Sequence, residues 1–98
     1  MTDETAAAVV PVGHARPGKI ARMRGTIDSI RIEPHDAAPA LTASISDGTG
    51  AIDAVFMGRR EIPGIEPGRV VTIRGRVAQG EGGLHLFNPW YELEGPEA

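Results

Sequence analysis

From Lys19 to Glu33 the chain alternates apolar and polar residues as a β-strand does, but the alternation changes phase partway. Ala21, Met23, Gly25 and Ile27 share one parity, while Ile30 and Ile32 share the other. Successive strand residues point to opposite faces, so one buried face holds both sets only if an extra residue enters near Asp28-Ser29. The expectation is a long first strand, bulged at that point and bent enough to serve two sheets, as a small closed barrel requires.

The remaining chain supplies strands and turns at barrel spacing. Pro34 to Pro39 reads as a loop. Leu41, Ala43 and Ile45 form the inward set of a second strand, with Thr42 and Ser44 outward. Asp47-Gly48-Thr49-Gly50 is a hairpin signal. Ile52, Ala54 and Phe56 point inward on a third strand, leaving Asp53, Val55 and Met57 outward. Gly58 to Gly68 holds two Pro-Gly turns and leaves room for at most one short helical turn. Val71, Ile73, Gly75 and Val77 are the inward set of a fourth strand, with Thr72, Arg74 and Arg76 outward. After the Gly80-Glu81-Gly82-Gly83 turn, Leu84 and Leu86 open a fifth strand with His85 and Phe87 outward. Pro89 lacks a donor and must bend or end that ladder. The fold class is all-β: a five-stranded Greek-key barrel whose closure hides its edges.

Length allows one domain and one core. Residues 1–15 lack a sustained period and read as a flexible tail, 16–93 as the barrel domain and 94–98 as an acidic tail. Without cysteine there is no disulfide and no thiolate metal site. Asp3 and Glu4 stand where a signal peptide needs positive charge, and no apolar run is long enough for a membrane span. A soluble, cytoplasmic protein is expected. The net charge of -3 is unevenly spread. Between Gly13 and Tyr91 ten Lys or Arg stand against eight Asp or Glu, so the body is mildly basic and the ends are acidic.

Four segments, RMRGTIDSI, ISDGTGAIDAVFMG, IEPGRVVTIRGRV and LHLFNPWYEL, resemble the OB-fold, in particular bacterial nucleic-acid-binding OB domains of the anticodon-binding and RecG-helicase wedge type. The resemblance spans about Lys19 to Leu93 and implies a ligand face on the outside of strands two and three. The chain departs from that pattern in lacking a helicase motor or a phosphate-binding Gly-Lys-Ser/Thr loop. The loop after strand one also carries no Lys, Arg or large aromatic ring.

On that fold, Arg22 and Arg24 lie outward beside Arg74 and Arg76, with Lys19 and Arg69 near the strand ends. Like charges across a ladder repel. The cluster is either a phosphate-tracking stripe or a solvated face neutralised by Glu92 and Glu94. Arg31, past the bulge, leans toward the expected ligand face. Arg59 and Arg60 could reach a backbone crossing it, or serve as turn residues. Thr42 and Ser44 would supply hydrogen bonds there. Phe87 is the candidate stacking ring, with Trp90 as a second, and one of Trp90 and Tyr91 should plug a barrel end. His14, His35 and His85 share no metal-ligand spacing, so neither a metal nor a cofactor is expected. The reading is a non-enzymatic protein that binds single-stranded nucleic acid, DNA or RNA, weakly and with little sequence preference. The alternative is a protein-interaction or self-association module using outward Val55 and Met57.

Overall fold

The computed structural model describes residues 8–35 and 37–95. Six strands follow one another: β1 (Ile20–His35), β2 (Ala38–Ser46), β3 (Ala51–Met57), β4 (Val70–Gly80), β5 (Gly83–Phe87) and β6 (Trp90–Leu93). They form one sheet in the order β1-β2-β3-β5-β4-β6, and β4 also pairs with β1, which closes the barrel. β3 and β5 run parallel, and every other pair is antiparallel.

β1 serves both sheets, as its phase change predicts. Its first half pairs with β4 from Ile20↔Arg76 to Thr26↔Val70, its second half pairs with β2, and the register shifts between Ile27 and Ser29. Asp28 is the extra residue. The inward sets close the core: Met23, Ile27, Leu41, Ile45, Ile52, Ile73, Val77 and Leu86 are all buried. Ile30 packs at its margin, but Ile32 stays exposed.

Two expectations about turns change. The loop expected over Pro34–Pro39 is a tight hairpin, with Pro34 opposite Pro39 and His35 opposite Ala38. Two facing prolines have no donors to exchange, so they fit the non-hydrogen-bonded kind of pair. The expected fifth strand is two pieces, β5 and β6, both lying along the same side of β4. Between them Asn88 takes φ 49° and bends the chain. Its N–H donates to the Val55 carbonyl at 2.7 Å, and its Oδ1 accepts from Met57 N at 2.9 Å. Tyr91 then turns back and meets Phe56 edge-on, with ring centroids 5.6 Å apart, so it is the ring that plugs the barrel end.

The segment expected to be a tail is corrected where it is described. Residues 1–7 lie outside the described residues, but Ala8 to Ala15 form a strap across the barrel. Val9 bridges Arg22 in parallel, Val10 N donates to Arg22 O at 2.8 Å, and Val12 is 1% exposed within the core. A 3₁₀ turn, Val12–His14, follows. The β2–β3 turn holds the strap: Asp47 Oδ2 accepts from Val12 N at 3.0 Å, and Thr49 Oγ1 from Gly13 N at 2.8 Å. Hydrogen bonds from the Thr49 hydroxyl, then from the Val12 and Thr49 amides, hold the Asp47 carboxyl down to about 2. Of the acidic C-terminal tail, Glu94 and Gly95 are described and residues 96–98 are not.

Candidate nucleic-acid interface

Strand register places the outward side chains in rows. On the face expected to take ligand, Arg31 (β1), Thr42 (β2), Val55 (β3) and Phe87 (β5) lie side by side. The next row is Ser29, Ser44, Asp53 and His85. Here the sequence expectation is partly overturned. Thr42 is 4% exposed and Val55 5%, so neither offers surface to a ligand or a protein partner. Both sit in mid-row between a long arginine and a phenyl ring. What remains is a hollow of about 110 Å³ in which the little-exposed Thr42 and Val55, with Ala40, are flanked by Arg31, Glu33, Pro34, His85 and Phe87.

The polar groups of this face are bound to one another. Arg31 donates from Nη2 to Asp53 at 3.2 Å and from Nε to Glu33 at 3.3 Å. The hydrogen bond to Asp53 is the main cause of its raised pKa. Ser44 Oγ donates to the other Asp53 oxygen at 2.9 Å. His85 Nε2 lies 3.9 Å from Asp53, and its ring stacks on Phe87 at 5.9 Å. The carboxylate stands between serine and histidine, so the imidazole does not meet the hydroxyl and the trio lacks the serine–histidine–carboxylate order of a nucleophilic relay. Phe87, 48% exposed, is the ring on this side.

The second face lies on β1, β4 and β6. Arg22, Arg74 and Trp90 form one cross-strand row, and the Arg22 guanidinium carbon sits 5.3 Å from the centroid of the Trp90 ring. At that distance the cation is attracted by the ring's quadrupole. Trp90 is outward and 37% exposed; unlike Tyr91 it is not a plug. Arg76, opposite Ile20, donates to Gly18 O at 2.6 Å. In the neighbouring row, Arg24 faces Thr72 and Thr72 faces Glu92. Arg24 is engaged by Glu94, with Nε 2.9 Å from Oε1 and Nη2 on the same oxygen. That hydrogen bond raises the arginine's pKa. The expected neutralising role of Glu94 is therefore real for Arg24.

Against this face the strap forms one wall of a groove of about 330 Å³. Arg16, Lys19, Arg22, Arg74 and His14 line it together with apolar residues, and among the described residues no carboxylate does. Val9 and Ile20 are half-exposed beside it. Arg16, Val9 and Ile20 were missed in the sequence because their roles depend on the strap folding back, which no periodicity announces. Arg59 and Arg60 are elsewhere: Arg59 donates to Glu61 O at 3.3 Å, a turn contact, and Arg60 borders a hollow on the β3–β4 connection.

The family model for an OB-fold nucleic acid binding domain matches residues 21–94, from the start of β1 to just past β6. The chain belongs to that family. Among solved structures, one described as "Crystal structure of p204 HINb domain" is similar at TM-score 0.66 and 17% identity, covering 89% of this chain and 47% of that one. Another, described as "Structural mimicry for functional antagonism", is similar at TM-score 0.66 and 13% identity, covering 90% of this chain and 46% of that one. This chain thus spans about half the length of those structures, and the likeness is one of fold. No curated protein matches the chain.

Proposed function

We propose that this protein is a non-enzymatic module that binds single-stranded nucleic acid weakly and with little sequence preference. The observation that carries the reading is the family match, which covers the whole closed barrel rather than one motif of it. The chemistry on the surface is compatible. Guanidinium groups stand outward on β1 and β4 and can meet phosphates, whose charge is the same whatever the base. Exposed rings are few, Phe87 and Trp90 among the described residues. A base stacked on an aromatic side chain is worth roughly 1–3 kcal/mol, so this supply sets a modest affinity. Stacking on a π-face tolerates any base, which favours low sequence preference.

The protein-interaction reading rested on outward Val55 and Met57; Val55 is buried and gives it no support, while Met57 is half-buried. Fluorescence anisotropy with labelled oligothymidylate and oligouridylate tests the nucleic-acid reading. Affinity should fall as salt rises, with a log–log slope of about -0.7 for each phosphate contacted. Absence of binding at micromolar protein in low salt refutes it.

A further inference from the structure

A strand that changes partners partway leaves part of one edge bare, and β1 does so. Hydrogen-bonded and non-hydrogen-bonded pairs alternate along an antiparallel ladder, and Pro34–Pro39 is of the second kind. Ile32, opposite Leu41, and Ile30, opposite Ala43, therefore also turn their N–H and C=O groups away from β2. The Pro39 carbonyl agrees with this phase, since it accepts from Gly58 N on the β3 side. On the same outer edge of β1, Ile27 exchanges hydrogen bonds with Gly68 and Arg69, at 2.8 and 2.9 Å. Among the described residues the loop hydrogen bonds stop at Ile27, so the edge from Ile30 to Pro34 is open. An open edge is a template for another strand, and proteins commonly blunt one with a bulge, a proline or a lysine. Here the bulge and Pro34 stand at the two ends, while Ile30 and Ile32 between them favour extended backbone. Ile32 is 46% exposed, and with Ile30 it borders an apolar hollow of about 420 Å³ whose other walls include Ile62, Pro63 and Pro67.

We propose that this edge pairs antiparallel with the same edge of a second copy of the chain, with Ile32 opposite the partner's Ile32. In that register Arg31 faces the partner's Glu33 and Glu33 faces the partner's Arg31, so opposite charges meet on both sides of the twofold axis. The two side chains are 43% and 54% exposed in one copy, which leaves each accessible to a second partner. The neighbouring in-phase register, with Ile30 opposite the partner's Ile32, would set Arg31 against the partner's Arg31, and like charges there repel. In the favoured register Ile32 N–H donates to the partner's Ile32 carbonyl and Ile30 N–H to the partner's Pro34 carbonyl, each in both directions. Pro34 has no N–H, so the ladder ends there. The two Ile32 side chains meet on the side of the sheet that borders the apolar hollow. A ladder this short buries little against the ~1,200–2,000 Å² of a stable interface, so the dimer is weak and concentration-dependent. The pairing does not depend on what the barrel binds, and it would join the β1-β2-β3 sheets of two copies into one continuous face.

Sedimentation velocity of the full chain from micromolar to millimolar protein should show a monomer passing into a dimer. Amide exchange at Ile30 and Ile32 should slow over the same range. Arg31→Glu alone and Glu33→Arg alone each set like charges opposite one another across the axis, and each should weaken self-association about tenfold. Mixed in equal amounts, the two variants should form a heterodimer, because every charged pair across the axis is then of opposite sign. Ile32→Pro removes an N–H that β2 does not use, so the β1–β2 ladder is kept while the dimer is lost. That variant decides the matter if either charge variant melts well below the parent. A chain still monomeric at millimolar protein overturns the proposal, even if an extended peptide from another protein adds to the edge. A dimer that both charge variants and Ile32→Pro retain overturns it as well, since another surface then holds the copies together.

Discussion

The Arg-Gly pair occurs twice, as Arg24-Gly25 and Arg74-Gly75, and the structure predicts opposite outcomes for the same substitution at the two glycines. Gly25 is buried where β1 passes from β4 to β2. A Cβ there would stand 2.6 Å from Ser46 O, 3.0 Å from its carbonyl carbon and 2.8 Å from Ile45 Cγ2. The nearest obstacle is backbone, and moving it opens the β1–β2 ladder at the point where the bulge re-aims the strand. A Cβ on Gly75 would meet Leu86 Cδ2 and Pro89 Cβ at 3.6 Å, which is ordinary contact.

Forcing a methyl into a packed site costs about 1–3 kcal/mol, sometimes more. Replacing glycine by alanine also restricts the unfolded chain, which returns about 0.4–1 kcal/mol wherever the native backbone accepts alanine. Gly25→Ala should therefore lose about 1–2 kcal/mol net, and Gly75→Ala should gain about 0.4–1 kcal/mol. For a domain of this size each kcal/mol moves Tm by about 4–8 °C. Thermal melts followed by circular dichroism, with urea titrations alongside, should show Gly25→Ala melting about 5–15 °C lower and Gly75→Ala a few degrees higher. A Gly25→Ala variant as stable as the parent, or two glycines that shift Tm in the same direction, would refute the close-approach argument.

Two further outcomes concern the strap. A chain begun at Arg16 loses Val12 and, at about 1.5–3 kcal/mol for a buried valine, should melt about 6–24 °C below one begun at Ala8; equal melting of the two would show that the strap contributes nothing. Asp47, ordinarily 3.8 in the unfolded chain and held to about 2 when folded, contributes stability that is complete above about pH 4 and disappears as pH falls toward 2. Asp47→Asn should accordingly melt below the parent at neutral pH and converge with it near pH 2, and a constant gap across that range would contradict the hydrogen bonds assigned to its carboxylate.

The barrel was legible because its signals are local. The phase change between Ile27 and Ile30 demands a bulge wherever the strand later pairs, and the register does shift between Ile27 and Ser29. The Asp47-Gly48-Thr49-Gly50 turn and the alternation on β2, β3 and β4 likewise need no partner to be recognised. The strap was not legible, since Val12 is an isolated apolar residue between Pro11 and Gly13 and its burial depends on two acceptors, Asp47 and Thr49, more than thirty positions away. The split of the last strand was half legible: Pro89 announces a break, but that both pieces stay on β4 follows from Asn88 bridging to Val55 and Met57.

Parity tells which way a side chain points, not whether anything lies over it. Thr42 and Val55 are outward by parity and buried in fact, because the register sets Arg31 on one side of them and Phe87 on the other. The same register decides which side chains each cation meets first. Arg31 falls beside Asp53 and Glu33, Arg24 falls within reach of Glu94, and Arg22 falls opposite Arg74 with Trp90 beyond. A chain with more acids than bases can thus still gather several cations along one groove, because register and not net charge decides which side chains become neighbours. Net charge describes long-range attraction, whereas the capacity to hold a phosphate depends on which guanidinium groups the folded chain leaves facing one another.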